Sequence, residues 1–315
     1  MDQALGCDGF KLRSAQLKAL SERRNTPALV RVLLHLGAIV VAATALWQLR
    51  ASWWAVPLVW VVGYPLAFLF NVLHETAHQT AFKSRWLNYL FGHLAGLAIL
   101  LPYEYYRAFH WDHHRHTQQA GLDPEMTLDL PKSRLAYVWL MLGFPLWYKR
   151  MLTGLWRHAL GRANEPWVVA DRRSLIVREA RLYVAAYAAI AATSLWLGSW
   201  AAVYLWLLPL TAGQMLLRPY LLAEHTGCAH NNNMLQNTRT TYTNTLVRFF
   251  AWNMPFHAEH HAYPSVPFHA LPQLNALTRD HLAATANGYL DATKQVYHHL
   301  LYVNAGPKQL SQDTP

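Results

Sequence analysis

Residues 53–82 read WWAVPLVWVVGYPLAFLFNVLHETAHQTAF. From Trp53 to Leu73 the stretch carries no charge, and about 20 such residues are what a helix needs to cross the hydrocarbon core of a bilayer. It then delivers His74, Glu75 and His78 within one turn or so. Residues three and four apart share a helical face, so both imidazoles point the same way where the apolar run ends. The stretch predicts a membrane helix that ends on a pair of histidines, and the pair alone does not decide what they do.

Composition agrees. The chain is 53% hydrophobic and only 14% charged, against about a quarter charged in an ordinary soluble domain, so an integral membrane protein is expected. Three more apolar runs lie at 29–49, 181–198 and 200–217. The links within each pair are only a few residues long, so the four runs read as two helical hairpins that enter and leave by the same face. Basic residues test this, because cytoplasmic segments collect Lys and Arg. Six lie in 1–31, 14 in 83–181 and six from 218 onward; Arg50 alone falls in a far-side link, so 26 of 27 share one side. The formal charge of +10 is thereby polarised toward anionic headgroups or a phosphate-bearing carrier. A nucleic-acid partner is excluded as a poor match to so apolar a chain. The first 25 residues carry Lys11, Arg13, Lys18, Arg23 and Arg24 without an apolar core, so no cleavable signal is expected and the N-terminus reads as cytoplasmic. Cys7 and Cys228 are too few for a disulfide framework or a cysteine-rich metal site.

Two shorter stretches, 86–101 and 135–147, end near Tyr, Trp and Arg, as helices lying in the interface do. A crossing by 86–101 would carry everything from 102 to 134 to the far side, away from His74 and His78. The interfacial placement is therefore expected.

The remaining histidines decide the chemistry. FHWDHHRHT contributes His110, His113, His114 and His116, and MPFHAEHH contributes His257, His260 and His261. A single His-Glu-x-x-His is a weak signal for a zinc peptidase with Glu75 as base; two copies of His-x-x-His-His beside it are far more specific. With His74 and His78 they amount to eight imidazoles besides His116, too many for one tetrahedral zinc and suited to two ions. His225, in LLAEHTGC a few residues beyond the fourth run, is a ninth candidate. A transport protein handling haem or metal would place its ligands within the spans, whereas nearly all of these lie beyond them.

HETAH, HWDHH and HAEHH resemble the three histidine boxes of the membrane fatty acid desaturase superfamily, which also contains hydroxylases, carotenoid-modifying oxygenases and alkene-forming decarboxylases. The run WNMPFHAEHHAYPSVPFHALPQLN is similar to the third-box region of its bacterial branch, and the likeness covers about 30–275. The resemblance implies an all-α integral membrane fold with four spans, interfacial helices and a cytoplasmic cap. The cap would hold two Fe ions on imidazoles, beside a tunnel for an acyl chain. It matches His225 to the extra ligand that some members carry, whereas His116 has no counterpart. The metal set so expected is His74, His78, His110, His113, His114, His225, His257, His260 and His261.

The division expected along the chain is 1–28 as a cytoplasmic N-terminal segment, 29–275 as the membrane-embedded catalytic domain and 276–315 as a cytoplasmic C-terminal segment. The activity expected is dioxygen-dependent desaturation of a fatty acyl chain, with hydroxylation or another oxygenation of the same superfamily as the alternative. In a bacterium the location would be the inner membrane, with the site on its cytoplasmic face. Imidazole suits iron, and redox-active iron with open positions can reduce dioxygen, an oxidising power that side chains lack. Glu75, Asp112, Glu224 and Glu259 stand beside the candidate ligands. Such acids can accept the second ring N–H of a ligating histidine and fix its tautomer, although acids beside histidines also simply solvate a polar surface. No haem-attachment, iron–sulfur or dinucleotide signature is visible, so electrons are expected from a separate ferredoxin, or from a small haem protein with its reductase.

The other histidines take plainer readings. His35 and His93 lie in apolar segments and are expected to be packed or hydrogen-bonded; His158, His230, His269, His281, His298 and His299 fit a basic, polar cap. HNNNMLQNTRTTYTN, 230–244, reads as a cytoplasmic loop, and its position between His225 and the last box leaves open a structural role near the metals. Pro255, Pro264, Pro267 and Pro272 confine His257, His260 and His261 to one short helical turn.

Overall fold

The computed structural model describes residues 10–127, 131 and 133–303; Cys7 and the far ends of the two terminal segments lie outside the described residues. The helices of the first half are α1 (Ser14–Leu20), α2 (Asn25–Gln48), α3 (Ala55–Ala77), α4 (Arg85–Ala98), α5 (Tyr103–His116), α6 (Arg134–Leu142) and α7 (Phe144–Ala159). Those of the second half are α8 (Ala170–Trp196), α9 (Leu208–His225), α10 (Met234–Asn237), α11 (Thr245–Phe250), α12 (His257–Ala262), α13 (Leu271–Thr278) and α14 (Tyr289–His298). The chain divides into two compact units, 23–112 with 144–217, and the described parts of 1–22, 113–143 and 218–315.

In the first unit α2 and α3 are, among the described residues, the helices long and apolar enough to cross a membrane. The other two expected spans differ for identifiable reasons. Most of the apolar run 181–198, which opens on Arg181, is the second half of α8, whose first half carries Asp171, Arg172, Arg173, Arg178 and Glu179. The run 200–217 is split between a π-helical turn, Val203–Leu207, and the start of α9. Helix α4 has 14 residues, or about 21 Å at 1.5 Å each, short of a hydrocarbon core.

Small residues let two helix backbones approach closely. Gly63 of α3 and Gly213 of α9 supply such an approach: a Cβ on Gly63 would strike the carbonyl of Pro209, and one on Gly213 that of Gly63. His35 of α2 donates from Nε2 to the carbonyl of Pro65 at 2.7 Å, which bears out its packed reading. The last carbonyls of α4 are taken by aromatic donors: Tyr183 to His93, Tyr187 to Leu97, Trp206 to Ala98 and Trp147 to Ile99, at 2.6–3.1 Å. The last carbonyls of a helix have no partner within it and need such donors. Leu100 then turns the chain with φ 64°. Helix α5 starts on Glu179, whose carboxylate accepts from the Glu104 N–H and from His93 Nδ1. His158 is buried at 2.9 Å from Glu165 rather than lying on a polar surface.

The second unit corrects two expectations. The fold is mostly helical but not all-α, because Arg239–Tyr242 (β1) and Ala284–Asn287 (β2) pair as a parallel two-stranded sheet. The segment 230–244 is accordingly not a solvated loop: Asn237, Thr238, Arg239, Thr240 and Thr241 are buried. Strands this short carry no periodicity to read, and the side chains of Asn237, Thr238, Arg239 and Thr240 are buried because they find partners inside. The stretch 135–147 is also not one element, since Gly143 at φ 70° separates α6 from α7.

Candidate metal centre

In the first unit His74 and His78 stand on the last turn of α3 and at its C-cap, and His110 on α5. The tie between the helices is polar. Tyr103 donates its hydroxyl to the Thr76 carbonyl at 2.8 Å, and Arg107 Nε donates to that of Ala77 at 3.2 Å. Residues 103, 107 and 110 share one face of α5, so satisfying the end of α3 also swings His110 onto His74 and His78. The Nε2 atoms of His78 and His110 are 2.7 Å apart, and the rings of His74 and His110 lie 4.3 Å apart. All three are buried. Glu75, fully buried among them, accepts from the Thr80 hydroxyl at 2.8 Å. Asp112 is half-buried.

In the second unit the end of α5, the end of α9 and the short α12 bring four imidazoles together. His225 Nε2 lies 3.2 Å from Nε2 of both His113 and His257, and His261 Nε2 lies 3.1 Å from that of His257. Two nitrogens bound side by side to one ion at about 2.1 Å are themselves about 3 Å apart, so these spacings suit the edges of a coordination shell. The donors fit iron. His114 and His260 form a further pair at 3.2 Å. His257, His260 and His261 do sit on a helix of six residues. His116 is half-buried.

Each converging ring has an oxygen behind it. His113 Nδ1 donates to Asp123 Oδ1 at 2.9 Å. His261 Nδ1 lies 3.2 Å from the Thr117 hydroxyl, which donates its own proton to the His113 carbonyl and so accepts from the ring. His225 Nδ1 is 3.4 Å from the Thr238 hydroxyl, and His257 Nδ1 is 3.5 Å from Glu224 Oε1. A ring that donates from Nδ1 keeps its Nε2 lone pair for a cation. Glu259 takes a different place: its carboxylate accepts from Thr240, Asn275 and Thr278. Those bonds hold α12 to β1 and α13.

Electrostatics follow from burial. Burial holds His261 well below the ordinary imidazole range, and the neighbouring His114 and His257 add to it. Burial also opposes the charge on His113, but the carboxylates of Glu125 and Asp123 outweigh it and raise that ring. Burial pushes the Glu259 carboxyl up. The carboxylates behind His113 favour positive charge at that ring, and burial keeps the neighbouring His261 neutral with a free lone pair.

Asp123 and Thr117 are residues that sequence reasoning missed. Asp123 lies ten residues past His113, just before Pro124; an Asp-Pro pair is a turn signal, but it does not say which way the turn runs.

A profile of the fatty acid desaturase family matches residues 51–292. The chain belongs to that family. Among curated relatives it is 26% identical to the sn-1 oleoyl-lipid 12-desaturase of Synechocystis sp. over 66% of this chain and 60% of that one. It is 30% identical to the dihydrorhizobitoxine desaturase of Bradyrhizobium elkanii over 85% and 82%. To the zeaxanthin 4-ketolase of Chlamydomonas reinhardtii it is 26% identical over 80% and 56%. The chain spans 56–60% of the length of the cyanobacterial oleoyl-lipid desaturases that it matches over some 200 residues or more.

Proposed function

We propose that this protein is an integral membrane oxidoreductase that desaturates a fatty acyl chain with dioxygen at a histidine-held diiron centre. The observation that carries the proposal is the convergence of His113, His225, His257 and His261 on one point, each with an oxygen behind it, in a chain of the desaturase family. These four would hold one iron. His74, His78 and His110 offer ligands to the second, and His114 and His260 complete the nine. When bound, the irons supply the oxidising power to remove hydrogen from an unactivated carbon.

The overall reaction is R–CH2–CH2–R′ + O2 + 2 e− + 2 H+ → R–CH=CH–R′ + 2 H2O. The chain's own part is to fix the imidazole tautomers through Asp123, Glu224, Thr117 and Thr238, and to keep water from the buried histidines. Glu75 and Asp112 belong to the same machinery, and Glu259 positions α12. Electrons come from a separate donor, for which a ferredoxin is favoured: one relative is named as an acyl-lipid omega-3 desaturase (ferredoxin).

Four spans are proposed, with α2 and α3 as one hairpin and the apolar halves of α8 and α9 as the other. The histidines then lie on the cytoplasmic face, in the inner membrane if the source is bacterial. The basic-residue asymmetry supports this placement.

A second reading has specific support. A relative is named as a sphingolipid delta(4)-desaturase/C4-monooxygenase, at 27% identity over 78% of this chain, and another, above, as a ketolase. Desaturation and hydroxylation differ in how the substrate carbon is presented. Expression in a host with a suitable reductase, followed by mass spectrometry of the lipids, separates them. A loss of two mass units at a new double bond supports desaturation; a gain of one oxygen, or a shortened alkene, overturns it.

A further inference from the structure

Helix α7 has two faces of different character. Leu155 and His158 are buried, and Leu155 packs with Ala180 and Tyr183 of α8. On the outer side Leu152, Trp156 and Leu160 are 44, 56 and 68% exposed. Spaced four apart, they form one stripe about two turns long. Lys149, Arg150 and Arg157 are exposed around it, and residues 144–159 contain no acid. Glu165, just beyond, lies 3.4 Å from Arg157 and offsets part of that one charge.

The helix is also tied to the level at which the apolar run of α8 begins. Arg181, with which that run opens, donates from Nε to the Ala159 carbonyl at the end of α7, at 2.9 Å. At the other end the Tyr148 hydroxyl bonds Thr211 of α9 at 2.7 Å, inside the apolar stretch 200–217. Helix α7 thus starts against the apolar stretch of α9 and ends at the level where that of α8 begins, with leucines, a tryptophan and basic residues on its exposed side. Trp and Leu with Lys and Arg on one outer surface are what an interfacial helix presents to an anionic leaflet. Helix α4 repeats the pattern, with Trp86, Leu90 and Leu94 exposed at the same spacing after Lys83 and Arg85.

We propose that the outer face of α7 docks on anionic phospholipid: Leu152, Trp156 and Leu160 enter the acyl boundary while Lys149, Arg150 and Arg157 lie against lipid phosphates. This rests on the membrane reading given above. Lysine and arginine stems reach from an apolar layer to the headgroups, so the basic residues flank the stripe rather than break it. The docked helix makes the protein select anionic lipid for its immediate surroundings on the side that bears α7.

The test uses the full-length protein in vesicles of phosphatidylcholine, alone or mixed with phosphatidylglycerol. Nitroxides are placed singly by Leu152→Cys, Leu160→Cys and, as a control, Val41→Cys in α2, in a Cys7→Ser background. Lipid contact is expected at 152 and 160, seen as stronger relaxation by dissolved oxygen than by a water-soluble nickel chelate. The protein should also prefer spin-labelled phosphatidylglycerol over phosphatidylcholine. Replacing Lys149, Arg150 and Arg157 with Gln should lower that preference by on the order of fivefold for each charge that touches the headgroups. If 152 and 160 respond mainly to the nickel chelate, or to neither reagent, the face is in water or under protein and the proposal fails. It also fails if the triple Gln variant keeps the preference. If Val41 itself responds mainly to the chelate, the membrane reading falls instead.

Discussion

Asp123→Asn replaces one oxygen by an NH2 group of the same shape, and the surrounding donors make its effect calculable. Asp123 Oδ1 accepts from His113 Nδ1 and from the Glu125 N–H, and Oδ2 accepts from the Gln118 N–H, all at 2.9 Å. Asparagine can keep only one oxygen among these donors. With its oxygen at the Oδ1 position, the NH2 group faces the Gln118 N–H and leaves a buried donor unsatisfied, a cost of about 1–3 kcal/mol. Flipped, the NH2 donates to His113 Nδ1, drives the ring proton to Nε2 and removes the lone pair that faces the cluster. Either arrangement weakens the metal site. Loss of such a backing carboxylate lowers metal affinity by about 10- to 100-fold, or about 1.4–2.8 kcal/mol. Iron per chain by plasma mass spectrometry, with affinity from competition against a graded chelator, should show one of two irons in the purified protein becoming labile. Retention of both with affinity inside about twofold of wild type would refute the argument that His113 is held for a metal by Asp123.

Four other outcomes follow from the same contacts. Thr117→Val keeps the shape but removes the oxygen that fixes His261; a neutral hydrogen bond is worth about 1 kcal/mol, so iron affinity should fall about fivefold, less than in Asp123→Asn, by the same competition assay. Arg239 is buried and donates to the carbonyls of Ala223 and Thr226 on either side of Glu224 and His225; Arg239→Ala should lower stability by about 1–3 kcal/mol in thermal unfolding in detergent, with iron lost at lower temperature. Gly213→Ala places a methyl against the Gly63 carbonyl and should cost about 1–3 kcal/mol by overpacking, whereas Gly154→Ala, where a Cβ meets open space, should not destabilise. Burial alone would raise the Glu165 carboxyl, but the bond from His158 and nearby Arg157 hold it below the ordinary range. A depressed carboxyl stabilises the fold above its unfolded value near 4.5 and loses that effect as pH falls through the folded one. Glu165→Gln should therefore cost about 0.5–1 kcal/mol at neutral pH, after solvent screening, and the difference from wild type should close below about pH 4.5 in acid unfolding curves.

How much could be read from the sequence depended on the range of each signal. The ends of α3 and α5 were legible because helical spacing alone makes His74 and His78, or His110 and His114, share a face. The six-residue α12 was legible from its prolines. The first hairpin was legible from uninterrupted apolar runs. The runs 181–198 and 200–217 read as a second pair of spans, but charges precede the first of them within α8 and α9 is entered through a π-helical turn, so among the described residues neither helix is long and apolar enough by itself to cross a membrane. The sheet was invisible for a different reason: Arg239–Tyr242 and Ala284–Asn287 are polar, short and some forty residues apart, so their pairing is a tertiary outcome.

The oxygens behind the histidines show where local reading stops. Adjacency suggested Glu75, Asp112, Glu224 and Glu259, but a residue next to a ligand on a helix points about 100° away from it. Glu259, flanking His260, accordingly turns to Thr240, Asn275 and Thr278. Glu224 does approach the histidine set, and the ring it meets is that of the distant His257 rather than of its neighbour His225. The partner of His113 has to come from another element or a returning loop, and Asp123 arrives that way, through a turn whose backbone its own carboxylate holds at Gln118 and Glu125. Asp123 and its turn thus fold as one piece, so a variant such as Asp123→Asn tests the loop and the metal site together. Thr117→Val, which leaves Gln118, Glu125 and Asp123 in place, separates the two.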